Sequence, residues 1–118
     1  MSAFVWIEVH DGQPIPASFE ALGVARRLGE RVTALVFGQG VDEAVKAAFA
    51  YGADVVIKAD DPSLARYRFE PYVALLSGLV KDHSPAIVLA AATTSGRELL
   101  AGAAADVDGG LLTDVTDL

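Results

Sequence analysis

Residues Arg31 to Lys58 read RVTALVFGQGVDEAVKAAFAYGADVVIK, and this stretch decides the fold. It opens with an apolar run, Arg31 to Phe37, which ends at Gly38-Gln39-Gly40. A helical segment follows, with Asp42 and Glu43 in its first turn, where the helix dipole favours anions. Val45, Ala48 and Phe49 supply its predicted apolar face, and Gly52 closes it. A second apolar run, Asp54 to Lys58, completes a strand–helix–strand unit. Runs without polar alternation are buried on both faces, and such strands belong to parallel sheets covered by helices.

The same grammar extends in both directions. Upstream, Phe4 to Val9 (FVWIEV) is a buried first strand, stopped by the turn residues His10-Asp11-Gly12. Pro14 and Pro16 mark a loop. A helix is expected from Ser18, with Phe19, Leu22, Ala25 and Leu28 inward and Gly29 as its C-cap. Downstream, Asp60 to Phe69 is irregular. Pro71 suits the first turn of a third helix, lined by Tyr72, Val73, Leu76, Leu79 and Val80 and stopped at Ser84-Pro85. Ala86 to Ala91 (AIVLAA) is a fourth strand. A last helix runs from Ser95 to about Asp106, with Leu99, Leu100, Ala103 and Val107 inward. Leu111 to Leu118 alternates like an edge strand. The expected fold is α/β: a three-layer, doubly wound, mainly parallel sheet of about five strands in one domain over residues 1–118.

Composition narrows the function. Hydrophobic residues make up 53% of the 118, and no apolar run is long enough to span a bilayer, so membrane insertion is not expected. No basic–apolar–small pattern opens the chain, and no signal peptide is expected. There is no cysteine, which removes thiolate chemistry, disulfides and cysteine metal sites, and suits a cytoplasmic location. The net charge of −7, with nine scattered Lys and Arg, argues against nucleic acid. The two histidines, His10 and His83, are too far apart in sequence to suggest a zinc site, and no metal site is expected.

In an open parallel sheet, ligands bind beyond the carboxyl ends of the strands. Three loops fall there. Glu8, His10, Asp11 and Gly12 form the first, in which His10 is read as a surface histidine rather than a base. Gly38-Gln39-Gly40 form the second; Glu43 stands where a dinucleotide fingerprint needs its third glycine, and no Gly-Lys-Ser/Thr follows. The third holds Thr93, Thr94, Ser95, Gly96 and Arg97, the candidate anion site: hydroxyls, a guanidinium and free backbone N–H groups at a helix start. Ser95-Gly96-Arg97-Glu98 also fits a capping box, which needs no ligand and is the preferred reading. Asp60-Asp61 reads as a solvated turn before Pro62, Phe4 and Trp6 as core, and Asp114 and Asp117 as the polar face of the edge strand. No catalytic residues assemble.

Four segments in order resemble the alpha subunits of electron transfer flavoproteins. They are Glu8…Gly12…Ser18-Phe19-Glu20-Ala21-Leu22 with Ala25-Arg26-Arg27-Leu28-Gly29; Val36-Phe37-Gly38…Ala44…Ala48…Tyr51-Gly52-Ala53-Asp54-Val55-Val56; Tyr67 with Pro71-Tyr72 and Lys81…Pro85-Ala86-Ile87-Val88-Leu89; and Ala92-Thr93-Thr94-Ser95-Gly96-Arg97-Glu98-Leu99 with Gly110-Leu111-Leu112-Thr113-Asp114-Val115-Thr116. The resemblance covers essentially the whole chain. It implies the amino-terminal domain of an alpha subunit, with a fold related to the adenine nucleotide alpha hydrolases. This domain would be a scaffold that pairs with a similarly folded beta subunit. Electrons would pass from flavin dehydrogenases to an acceptor through FAD held in a later domain, with any AMP in the beta subunit. The domain would itself be neither catalytic nor flavin-binding. The chain departs from the family at Gly102 and near Asp106, where members often carry a basic residue. The rival reading is a free-standing nucleotide-binding module similar to universal stress proteins. It calls for a Gly-rich phosphate loop, and Thr93 to Arg97 lacks most of those glycines. A small enzyme of the adenine nucleotide hydrolase type would need a signature for splitting ATP, which is absent.

Overall fold

The computed structural model describes residues 2–29, 31–107 and the strand backbone of 113–116. Five parallel strands form the sheet: β1 (Ser2–Ile7), β4 (Arg31–Gly38), β5 (Val55–Asp60), β6 (Ile87–Ala91) and β7 (Thr113–Thr116). Their order is β5-β4-β1-β6-β7, with β1 in the centre, paired to β4 on one side and to β6 on the other. Four helices connect them: α1 (Pro16–Arg27), α2 (Asp42–Ala50), α3 (Phe69–His83) and α4 (Thr94–Val107). Because a parallel neighbour can be reached only by a crossover, the helices must cover the faces. The predicted doubly wound sandwich is present, and β7 takes the edge expected of the last strand. The other residues of the predicted Leu111–Leu118 strand lie outside the described ones.

The two faces of the sheet are built differently. Alternation along β1 sends Ala3, Val5 and Ile7 to one side and Phe4 and Trp6 to the other. On the first side, Val32, Ala34 and Val36 join them beneath Ala21, Leu22 and Ala25 of α1 and Ala44 and Ala48 of α2. Small helix residues let these two helices lie close to the strands. On the second side, Leu35, Phe37, Val88 and Ala90 meet Tyr72, Leu76 and Val80 of α3 and Leu99, Leu100 and Ala103 of α4. Full burial of residues such as Phe4, Phe37 or Leu76 stabilises the fold by about 1.5–3 kcal/mol each.

Local differences from the sequence reading have physical causes. The first strand stops at Ile7; Val9–His10 (β2) turns back against Gln13–Pro14 (β3) in a small antiparallel hairpin. Asp11 (φ 53°) and Gly12 (φ 80°) are both left-handed, as a two-residue hairpin turn requires. Helix α1 starts two residues early, at Pro16, leaving Ser18 inside its first turn and fully buried. Phe49 is 51% exposed, because it lies about 100° round the helix from Ala48 on the buried stripe. Leu28 is 50% exposed, as the C-cap residue where the chain leaves α1. Gly29 follows it at φ 77°, as expected of a C-terminal glycine. The irregular stretch from Asp60 contains one 3-10 turn, Pro62–Leu64, capped by Asp61.

Leu76 is fully buried between α3 and the aromatic face of the sheet. Leu76→Ala is expected to lower the unfolding free energy by about 2–5 kcal/mol, read as a lower urea midpoint with an unchanged slope.

Candidate functional site

The chain leaves β1 towards β4 on one side and returns to β6 on the other, so the topological switch point lies between the ends of β1 and β6. Glu8 stands there. Its side chain is only 7% exposed, which is unusual for a carboxylate and requires partners. Oε1 accepts a hydrogen bond from the Thr93 hydroxyl, and Oε2 lies 2.8 Å from His10 Nε2. The Glu8 backbone N–H donates to Ser18 Oγ at 2.9 Å, and its carbonyl accepts from the Ile15 N–H at 3.0 Å. One residue thus ties together the end of β1, the hairpin, the start of α1 and the start of α4.

Thr93 works in two directions. Its hydroxyl donates to Glu8 and accepts from the Gly96 N–H at 2.9 Å, which makes it the side-chain cap of α4. The capping box expected at Ser95–Glu98 does not form: the cap lies two residues upstream, at Thr93, with Gly96 at the third position after it. Glu98 does not reach back to the helix start; its Oε1 accepts from the Tyr67 hydroxyl at 2.8 Å. Gly96 is buried, and a Cβ there would overlap the Ala91 carbonyl oxygen, so the position admits only glycine without rearrangement. Of the five anion-site candidates, Thr93 and Gly96 are engaged in this cap. Thr94 and Arg97 are exposed, and Ser95 is half-buried.

The neighbouring loops are also closed by carboxylates. Asp60 accepts from the Gly40 N–H at 3.1 Å and the Val41 N–H at 3.3 Å, so the Gly38-Gln39-Gly40 loop is pinned to the end of β5. The hairpin sits against the same loop: a Cβ on Gly12 would come within 2.8 Å of the Gly40 carbonyl oxygen. Asp61 accepts from the Ser63 N–H at 2.9 Å, and this bond holds its carboxyl below the usual carboxylate range. Asp61 lies in the turn before Pro62, as expected, and caps it, whereas Asp60 is the last residue of β5, paired with Gly38. His83 lies at the far end of α3, its ring edge-on to Phe4 at 5.8 Å between centroids.

Beside the hairpin is a recess of about 250 Å³, whose aromatic wall is Trp6, Tyr67 and Tyr72 and whose polar rim includes Glu8, His10 and Arg66. The rings pack edge-on, Tyr67 to Tyr72 at 5.0 Å and Trp6 to Tyr72 at 6.2 Å between centroids. The Tyr72 hydroxyl donates to the Leu64 carbonyl at 2.6 Å, and burial raises its pKa. Tyr67 is raised further, first by desolvation and then by its hydrogen bond to Glu98. Sequence reading missed Glu8 as the hub, Thr93 as the cap and the Tyr67–Glu98 pair. A signal for the first was visible: a carboxylate continuing an apolar strand must find hydrogen-bond donors.

The geometry makes two predictions. Thr93→Val removes both an N-cap acceptor and a donor to a buried carboxylate; urea titration should show a loss of about 1–3 kcal/mol, with Thr93→Ser close to the parent. Tyr67 holds its proton more tightly when folded than when unfolded. The stability this contributes is present below about pH 10, the ordinary tyrosine value, and lost as pH rises above it. Tyr67→Phe should therefore flatten the alkaline fall in unfolding free energy; an unchanged slope would refute the assignment.

Comparison with known proteins adds a family to this geometry. The model of the electron transfer flavoprotein domain matches residues 3–118. A protein named FixB from Rhizobium meliloti is 39% identical over 125 residues, covering 99% of this chain and 35% of its own length. An electron transfer flavoprotein subunit alpha from Syntrophomonas wolfei is 38% identical, covering 94% and 35% respectively. An acryloyl-CoA reductase electron transfer subunit beta from Anaerotignum propionicum is 34% identical, covering 98% and 32%. The chain spans about a third of the length of these relatives.

Proposed function

The chain belongs to the electron transfer flavoprotein domain family, and on that premise we propose that it is a scaffold and subunit-interface domain of an alpha-type subunit. In the arrangement the resemblance implies, it is the amino-terminal domain, and the FAD that carries the electrons is held by another part of the longer subunit. It pairs with a beta subunit, in which any AMP is bound. The complete complex takes electrons from flavin dehydrogenases and delivers them to an acceptor. This chain has a structural rather than a catalytic part in that transfer.

The observation that carries the reading is the closed switch point. A nucleotide-binding α/β domain presents a helix N-terminus to a phosphate there. In this chain the Glu8 carboxylate meets the start of α4 through Thr93, and a second anion at the same place would be repelled. The adjoining recess of about 250 Å³ falls below the roughly 300–1,000 Å³ of cavities that hold drug-sized ligands, and a flavin dinucleotide is larger still. The recess at the switch point is too small to hold FAD. The same carboxylate weighs against the universal stress protein reading, which needs phosphate at this edge. Relatives about three times longer, one of them named a subunit alpha and another an electron transfer subunit, support a domain within a longer subunit of an electron-transfer complex.

Residues 1–118 expressed alone should be colourless. The full-length subunit, co-expressed with its companion, should show flavin absorbance near a 1:1 ratio. A stoichiometric flavin spectrum from residues 1–118 alone would sink the scaffold reading.

A further inference from the structure

Gly102 lies in the interior of α4, where glycine costs about 1 kcal/mol relative to alanine. A Cβ there would come within 2.8 Å of both Phe69 Cζ and Val73 Cγ2. The missing side chain is what lets the Phe69 ring lie down against α4. Phe69 is nevertheless 42% exposed. It forms one wall of an open groove of about 490 Å³ between α3 and α4, with Val73, Ala74, Gly102 and Ala105 as the other apolar lining. The charged residues described at the groove are Glu70 and Asp106, both exposed and both acidic.

We infer that this groove docks the companion subunit of the electron-transfer complex, through an apolar side chain flanked by lysine or arginine. The inference rests on the subunit reading above and places the interface on the outer face of α3 and α4. The charge of the rim selects the occupant. Charge complementarity at an interface rim steers the right partner and disfavours like-charged ones. A second copy meeting the groove through the same face about a two-fold axis would bring Glu70 and Asp106 against the same acidic residues, and an anionic membrane surface would be repelled by them. An open, apolar lining of alanine, glycine and phenylalanine offers few groups to orient a small polar molecule, but it suits the buried anchor of a protein contact.

Residues 1–118 contain no cysteine, so single cysteines introduced there report cleanly by peptide mapping. The test uses full-length subunit carrying Ala74→Cys, Ala105→Cys or, on the opposite face of the sheet, the exposed Ala50→Cys. Alkylation by iodoacetamide is followed with and without the companion. Positions 74 and 105 should react freely in the isolated subunit and at least about tenfold more slowly in the complex, because an interface core excludes solvent; position 50 should not change. Equal rates at 74 and 105 in a complex that still co-elutes would overturn the groove and leave the subunit reading standing. Protection already present in the isolated subunit would assign the groove to the chain's own remainder and also overturn it. If the unmodified subunit fails to co-elute with its companion, both readings fall. A second variant tests the rim: Glu70→Lys with Asp106→Lys should slow association and reduce its dependence on salt. Association and salt dependence identical to the parent would refute the charge argument.

Discussion

A buried carboxylate has to be satisfied, and in this protein the way Glu8 is satisfied organises one whole edge of the sheet. Its two oxygens face donors from opposite ends of the chain: the Thr93 hydroxyl, 85 residues away, and His10, two residues away. Its own backbone is held by Ser18 and Ile15. These bonds join the central strand to both helix layers. Breaking one partner would leave a buried acceptor unpaired, which costs more than the net value of the bond itself. The hub is therefore cooperative: the hairpin, the start of α1 and the start of α4 support one another through a single side chain.

The layered core explains why the fold was largely legible in the sequence. Strands such as RVTALVF and AIVLAA are apolar throughout because both faces are covered, and their spacing by helical segments admits little else. Helix count follows from that periodicity and the edge position of the last strand from its alternation, whereas the strand order β5-β4-β1-β6-β7 does not. What periodicity cannot resolve is the direction of residues at element ends. Leu28 and Phe49 are apolar and sit near inward positions, yet the first terminates its helix and the second falls beside a stripe of alanines. The hairpin was encoded in Asp11-Gly12, a recognised turn pair. Its arms are only two residues each and end in Pro14, so no strand periodicity announced them.

The site was legible in its location and not in its wiring. The carboxyl edge and its three loops follow from topology alone. The cap was misplaced because Ser95-Gly96-Arg97-Glu98 satisfies a local pattern, while the actual cap depends on a distant carboxylate. With Thr93 tied to Glu8, the helix begins at Thr94, and Gly96 rather than Glu98 occupies the third position after the cap. Glu98 is then free to pair with Tyr67, which joins α4 to the loop before α3. A long-range contact thus selected between two locally acceptable helix starts.

The two layers divide the work. On one face, alanines and valines bring α1 and α2 close to the strands. On the other, the aromatic residues Phe4, Trp6, Phe37 and Tyr72 pack with α3 and α4, which meet each other at Phe69–Gly102, while Tyr67–Glu98 ties α4 to the loop before α3. The Glu8 carboxylate joins the central strand to both helix layers at one edge, and Gly102 lets the Phe69 ring lie against α4 on the outer face.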